Sequence, residues 1–285
     1  MKRIVAGLII FAMVLLILMQ QRVYTVLKTD LRNDSVSDNV DTYTICTYFE
    51  PNNLSPESDH ENREMLEVWK ESWKAQGWNT LVLTEFHAKL HPRYIEFKDA
   101  VAKLPTVYPL SLSKASYFRW PAAVSSGCKV CESDLRFKES IHILMFIFYC
   151  QWMSDFDMVN YGLPPQDNWK GKKIFSFEGS TPSLVTGSKA AFDAVVDAIL
   201  EVAEDPSNPA ISEYRGVKHT SDRDILALRP DLISNIRHPA RLDRLESKLQ
   251  VVTHFARKDV IAYTADLTMT KAQLARNLRP FQIIS

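Results

Sequence analysis

The stretch WMSDFDMV at residues 152–159 places two carboxylates one residue apart between apolar flanks. Side chains alternate faces in an extended segment, so Asp155 and Asp157 are expected to face the same way while Phe156 faces the other. Two carboxylate oxygens at the end of a buried strand suit a hard divalent cation, and burying them without a positive partner is costly. The stretch therefore predicts a buried strand that leads into a metal site.

An Asp-x-Asp triplet also arises by chance in a chain of this composition, and residues 222–224 form a second one. The alternative interpretation of either triplet is a solvated pair of acids. Only the triplet at residues 155–157 has an apolar frame that would bury it, so it is the better candidate for a metal site.

The composition is that of a globular protein with a full hydrophobic core. The chain has 285 residues, of which 46% are hydrophobic, and its 34 Lys and Arg balance its 34 Asp and Glu. A nucleic-acid-binding protein would normally carry a basic excess, so the zero net charge argues against a nucleic-acid partner.

The first residues form an exception to that composition. Residues 4–19 are uninterruptedly apolar behind Lys2 and Arg3, which predicts a signal anchor over residues 1–22 with its basic end in the cytoplasm. A cleaved signal peptide is the alternative, but no pair of small residues for cleavage follows. Residues 23–41 are polar and predict a stem, and residues 42–285 predict one domain.

The domain begins with a strand, a helix and a second strand. Residues 43–49 are rich in β-branched and aromatic side chains, residues 61–76 have apolar side chains at helical spacing, and residues 80–83 form the next strand. This order predicts an α/β fold with a mostly parallel sheet. Trp69 and Trp73 could form a sugar-stacking surface, but their helical spacing favours a place in the core. Further helices are predicted at residues 94–104, 114–126 and 188–203, and further strands at residues 174–177 and 249–255.

One segment resembles a known family. A predicted helix carries Tyr117, Arg119 and Trp120, a small-residue turn follows at residues 126–127, and an apolar strand then enters the triplet at residues 155–157. In this order the chain resembles the glycosyltransferases of the GT-A fold with a DXD-type sugar-nucleotide region. The likeness is specific over residues 119–157 and looser over residues 44–255. It implies a GT-A-like, Rossmann-like sheet flanked by helices, in a single domain behind the transmembrane helix.

The resemblance also implies a reaction and its ligands. The donor would be a nucleotide-sugar, the acceptor a hydroxyl group of a glycan, glycoprotein or glycolipid, and the cofactor a divalent cation, Mn²⁺ or Mg²⁺. Asp157 would bind the metal directly, and Asp155 would contact the ribose or a metal-bound water. His254, in the apolar strand at residues 249–255, is the candidate third ligand; ordinary hydrogen bonding at the strand end is its alternative role.

Other residues would contact the donor or the acceptor. Arg119 could position the donor through its planar guanidinium, with a surface ion pair as the alternative. Thr47 and Tyr48 close the first strand, where the nucleotide base lies in related folds, although Tyr48 could equally be core. Glu178 and Asp222 are the candidate catalytic carboxylates on the acceptor side.

Two features favour a second function, a non-catalytic, membrane-tethered relative that binds a glycan or a partner protein. The first is Cys128, which replaces a glycine of the family pattern; Ala115 and Ser116, where an aspartate is frequent, are a separate departure from that pattern. The second is the insertion at residues 130–151, which the family pattern lacks. With either function, the apolar N-terminus and the resemblance predict a single-pass type II protein of the Golgi or endoplasmic reticulum membrane with a lumenal domain.

The insertion at residues 130–151 has an unusual composition. It begins polar and ends in the apolar run at residues 141–150. A valine codon begins with GT, Cys-Gln can be encoded by a run that ends in CAG, and the Phe and Tyr codons between them are rich in pyrimidines. We hypothesise that the segment is a retained intron, which transcript reads continuous across both of its ends would reject. The alternative is a genuine insertion whose apolar half packs on the domain.

Overall fold

A computed structural model of the chain describes residues 43–51, 55–107, 110–126, 152–165, 172–178, 181–235, 240–241, 252–256, 260–261 and 268–278. All of them belong to one compact unit, residues 42–285. The predicted anchor, stem and insertion lie outside the described residues. Within the described ranges, every helix is too short or too polar to cross a membrane.

The described elements follow one another in this order: β1 (Thr44–Tyr48), α1 (Pro56–Ala75), β2 (Asn79–Leu83), α2 (Glu85–Lys89), α3 (Tyr94–Val101), α4 (Leu110–Ser125), β3 (Trp152–Ser154), β4 (Met158–Asn160), β5 (Ile174–Glu178), β6 (Thr181–Thr186), α5 (Lys189–Glu204), β7 (Ser212–Tyr214), β8 (Val217–His219), α6 (Asp222–Ala227), β9 (Ile233–Asn235), β10 (Ala240–Arg241), β11 (Val252–His254) and α7 (Lys271–Leu278).

Six strands form the central sheet in the order β2-β1-β3-β6-β5-β9. β1 is parallel to β2 and β3, and β5 is parallel to β9, whereas β6 is antiparallel to both of its neighbours. The predicted α/β fold with a mixed, mostly parallel sheet is thus confirmed. The chain leaves β1 for β2 on one side and later returns to β3 on the other side. In parallel sheets such a reversal opens a crevice at the carboxyl ends of the strands.

The central sheet is covered by helices on both faces, because alternate strand residues enter different apolar clusters. Cys46, Met153 and Val185 pack with residues of α3, α4 and α5. Their neighbours Ile45, Trp152 and Leu184 pack with residues of α1. Burial on both faces explains why successive residues of these strands are buried, including their Thr and Ser, instead of alternating with exposed residues.

Helix α1 begins five residues before its predicted start at residue 61. The Ser55 hydroxyl accepts a hydrogen bond from the Ser58 amide at 3.1 Å, and Pro56 occupies the first turn, where a missing N–H costs nothing. The helix ends before Gly77, whose φ of 84° favours glycine. Trp69 and Trp73 are fully buried, which confirms their assignment to the core.

Sequence patterns missed two strands of the central sheet, β6 and the edge strand β9. β6 carries Pro182 near its start, and its buried residues pair with β3 and β5 from distant parts of the chain. Pro121 lies inside α4. The predicted strand at residues 249–255 is described only as the three-residue β11.

Candidate metal centre

The triplet at residues 155–157 joins the central sheet to a smaller one. β3 ends at Ser154, and β4 pairs with β11 in a three-stranded sheet. The Asp155 amide donates to the Ser183 carbonyl at 2.7 Å, and the Met158 amide donates back to the Asp155 carbonyl at 3.0 Å, which closes a turn. The triplet is therefore a turn between two sheets, and not the extended segment that the sequence predicted, because the Met158 amide closes the bend on the Asp155 carbonyl.

Two tryptophans of α1 hold the turn at both ends. The Trp69 indole N–H donates to the Ser154 hydroxyl at 2.8 Å, immediately before the turn, and the Trp73 indole N–H donates to the Met158 carbonyl at 2.9 Å, immediately after it. All four residues are buried. The packing of α1 on the sheet therefore fixes where the two carboxylates lie.

His254 reaches the turn through strand pairing. β11 runs antiparallel to β4 with His254 opposite Met158, and the Phe255 amide donates to the Asp157 carbonyl at 2.9 Å. This register places His254 Nε2 at 3.2 Å from Asp157 Oδ1. One ligand atom each of Asp155, Asp157 and His254 lies within 4.8 Å of the others, so the group could hold a metal ion.

Lys271, the first residue of α7, is a site residue that the sequence analysis missed. Its Nζ donates to Asp157 Oδ2 at 2.6 Å and lies 5.6 Å from the centre of the Phe156 ring. Burial alone would raise the pKa of Asp157, but Lys271 and His254, which face its two carboxylate oxygens, outweigh this effect and lower the pKa well below its usual range. Asp157 is therefore held in its ionised form by the two side chains that already contact its oxygens.

Arg119 connects the site to a third carboxylate. From α4, its Nη1 donates to Asp155 Oδ1 at 2.6 Å, while its Nε and Nη2 donate to Asp222 Oδ2 at 3.1 and 2.5 Å. The Trp120 indole N–H and the Arg223 amide also donate to the Asp222 carboxylate. Both Arg119 and Asp222 are buried, so this is a buried ion-pair network and not the surface ion pair considered from the sequence.

The side chains around the turn carry a net negative charge, which favours the binding of a cation. Burial raises the pKa of Asp155 to about 6; Arg119 opposes this rise, and the negative charge of Asp157 adds to it. Three carboxylates face the positive charges of Arg119 and Lys271, so the group carries a net charge of minus one when His254 is neutral. A divalent ion would change this to plus one, which favours an anionic ligand.

A cavity of about 420 Å³ adjoins the turn at the carboxyl ends of β1 and β3. Its size is in the range of small-molecule sites. Residues of β1, α4, the turn, β6, α6, β11 and α7 line it, and they include Tyr48, Arg119, Asp155, Asp157, Asp222 and His254. The structure thus brings six of the eight residues predicted for the site to one cavity.

The other two predicted residues lie elsewhere or are only partly described. Thr47 is fully buried and is absent from the cavity lining, because neighbouring residues of β1 face opposite sides of the sheet and Tyr48 takes the cavity side. Glu178 is the last residue of β5, where its backbone pairs with Thr181 of the cavity wall. Of Glu178 only the backbone is described.

Replacing Trp73 tests how far α1 positions the turn. Trp73→Phe is expected to lower the free energy of unfolding by about 2 to 3 kcal/mol, because the buried Met158 carbonyl loses a donor and the smaller ring leaves a void. Mn²⁺ binding should weaken as well, since the turn loses one anchor. Urea denaturation and calorimetry with Mn²⁺ measure the two effects.

Trp78→Phe is the matched control for this variant. Its indole N–H makes the same kind of bond, to the Leu163 carbonyl at 2.8 Å, but beyond β4 and away from the carboxylates. It should cost less stability, because the Leu163 carbonyl still accepts from the Asn160 side-chain amide at 2.8 Å, and it should leave Mn²⁺ affinity unchanged. Equal losses of Mn²⁺ affinity in both variants would show that Trp73 positions the turn no more than Trp78 does.

The fold and the site define an α/β protein with a candidate divalent-cation centre at the carboxyl edge of its sheet. Comparisons of the chain with protein-family models, with curated proteins and with solved structures give no match. The side chains of the centre and its cavity are therefore the basis on which its function is inferred.

Proposed function

We propose that this chain is a metal-dependent glycosyltransferase of the GT-A type, which transfers a sugar from a nucleotide-sugar to a hydroxyl acceptor. The observation that carries the proposal is the convergence of Asp155, Asp157 and His254 beside a cavity at the carboxyl ends of β1 and β3. Open α/β sheets bind nucleotides at this place, and two carboxylates with an imidazole suit Mn²⁺ or Mg²⁺.

Glycosyl transfer breaks the bond between the anomeric carbon and the diphosphate oxygen, and the electron pair leaves with the diphosphate. A divalent ion bound at Asp157 and His254 would supply positive charge where that negative charge develops. Asp155, which Arg119 holds in place, is positioned to contact the ribose or a metal-bound water. Tyr48 and Phe49 line the cavity at the end of β1, where the base of the nucleotide would lie.

The acceptor hydroxyl loses a proton as it attacks, and the carboxylates available for this proton differ in their surroundings. Asp222 lines the cavity, but its carboxylate already accepts four hydrogen bonds, from Arg119, Trp120 and Arg223. These contacts suit a residue that positions Arg119 better than one that removes a proton. The assignments of Asp222 and Glu178 as catalytic acids or bases stay predictions.

Calorimetric titration of the whole 285-residue chain with UDP, with and without Mn²⁺, tests the proposal. We expect UDP to bind with Mn²⁺ present and to bind at least about tenfold more weakly after chelation, because the net charge of the site then returns to minus one. The same weak UDP binding with and without Mn²⁺ would contradict a metal-dependent transferase.

A second candidate function is a non-catalytic relative that binds a glycan or a partner protein without a metal. It is favoured by the pairing of each carboxylate of the turn with a basic side chain, Asp155 with Arg119 and Asp157 with Lys271. The UDP titration distinguishes the two functions. In either case we propose a lumenal domain at the Golgi or endoplasmic reticulum membrane, held there by residues 1–22, with a glycan, glycoprotein or glycolipid as its macromolecular ligand.

A further inference from the structure

The ammonium group of Lys271, at the start of α7, is in direct contact with the proposed metal ligand Asp157. Its side chain is 16% exposed, and its Nζ is 2.6 Å from Asp157 Oδ2. The other oxygen of the same carboxylate faces His254 Nε2 at 3.2 Å. Both oxygens of Asp157 are therefore in contact with nitrogen atoms, and a metal ion has to share or replace one of these contacts.

The two contacts of Asp157 differ in how they tolerate a metal ion. Neutral His254 offers a lone pair, so the imidazole can become a ligand of the same ion. The ammonium of Lys271 has three N–H donors and no lone pair, and two cations side by side on one carboxylate repel each other. A divalent ion at Asp157 must therefore push the Lys271 ammonium away from Oδ2.

The helix that carries Lys271 is fixed, so this displacement concerns the side chain. Ala272, Leu274 and Ala275 are buried in a cluster with residues of α1, and the Tyr161 hydroxyl donates to the Ala275 carbonyl at 3.0 Å. The four-carbon stem of the lysine is flexible and can turn while the helix stays in place. Lys271 lies on the cavity wall, and the neighbouring Asp155 already accepts a hydrogen bond from Arg119. An anionic ligand in the cavity is then the natural partner of the displaced ammonium.

We propose that Lys271 is an exchangeable counter-ion: it neutralises Asp157 until a divalent ion binds, and its ammonium then binds the phosphate oxygens of a nucleoside diphosphate. The exchange at Asp157 depends only on the contacts of Lys271. The second half, binding of the diphosphate, rests on the proposed function. The proposal therefore links metal binding and nucleotide binding through one side chain, with opposite effects of its removal on the two ligands.

Lys271→Met removes the charge and keeps the length of the stem. Calorimetry of the whole chain should show Mn²⁺ binding at least about tenfold more tightly to this variant than to the parent, because the ion no longer competes with the ammonium. With Mn²⁺ saturating, UDP should bind about tenfold or more weakly, because the diphosphate loses a cation. A purely structural role of Lys271 would weaken both ligands together.

Arg276→Met is the matched control, since it removes one positive charge from the same helix at a side chain that is 46% exposed. It should leave both affinities within about twofold. If Lys271→Met fails to fold, Lys271→Gln provides the same comparison with a side chain that tolerates water.

Each half of the proposal has its own contradicting result. Mn²⁺ binding that is equal or weaker in Lys271→Met overturns the exchange, as does the failure of both parent and variant to bind Mn²⁺. Tighter Mn²⁺ binding with unchanged UDP affinity upholds the exchange and overturns the role of Lys271 in diphosphate binding. Tighter Mn²⁺ binding in a protein that binds no UDP upholds the exchange and contradicts the proposed function instead.

Discussion

Asp157→Asn is expected to lower Mn²⁺-dependent UDP binding and any sugar transfer by about a hundredfold or more, because the site loses a charged metal ligand worth several kcal/mol to the bound state. Asparagine keeps the shape of the side chain and can accept from His254 or Lys271. The Lys271 stem can also turn its ammonium into the cavity, so the free energy of unfolding should change by only about 1 to 2 kcal/mol. Calorimetry and urea denaturation measure the two quantities on one preparation.

Asp231→Asn is the control for this variant, because it makes the same substitution at an exposed carboxylate paired with Arg229. It should change neither metal nor nucleotide binding. Turnover and UDP affinity of Asp157→Asn equal to those of the parent would remove Asp157 from the metal site.

Arg119→Met is expected to give the largest loss of stability, about 3 to 5 kcal/mol in the free energy of unfolding. The variant leaves the Asp222 carboxylate, whose side chain is only 5% exposed, without its cationic partner in a buried place. Urea denaturation checks this value. Arg229→Met, whose carboxylate partners are about 60% exposed, removes the same charge at the surface and should cost about 0 to 1 kcal/mol.

A double variant separates the buried charge from the packing of the arginine. Arg119→Met combined with Asp222→Leu removes both ends of the pair, so it should be more stable than Arg119→Met alone. If Arg119→Met costs no more than Arg229→Met, the network around Asp222 contributes little to the fold, and a positioning role for Asp222 loses its physical basis.

Much of the first half of the fold could be predicted because its signals are local. The β-branched and aromatic run of β1, the helical spacing of Met65, Trp69 and Trp73 in α1, and Gly77 after α1 each act within a few residues. β6 escaped prediction because its place between β3 and β5 depends on partners from distant parts of the chain, and Pro182 weakens its strand pattern.

The same difference between local and distant signals decides which residues of the candidate site could be predicted. Asp155, Asp157 and His254 could be selected because each follows or lies in an apolar strand, which makes a buried polar side chain conspicuous. The role of Lys271 and the pairing of Arg119 with Asp222 could not be predicted. Lys271 is 114 positions from Asp157, Arg119 is 103 positions from Asp222, and no pattern near these residues marks the contacts. Thr47 was chosen together with Tyr48, although alternate faces of a strand allow only one of them to reach the cavity.

We propose that the turn at residues 155–157 and His254 bind a divalent cation. Anomalous X-ray diffraction from crystals of the chain grown with Mn²⁺ and UDP tests it most directly. We expect one strong manganese peak at about 2.0 to 2.3 Å from an Asp157 oxygen and from His254 Nε2, with the Lys271 ammonium moved off Asp157. Crystals at saturating Mn²⁺ with no peak there, and with Lys271 still on Asp157, would contradict it.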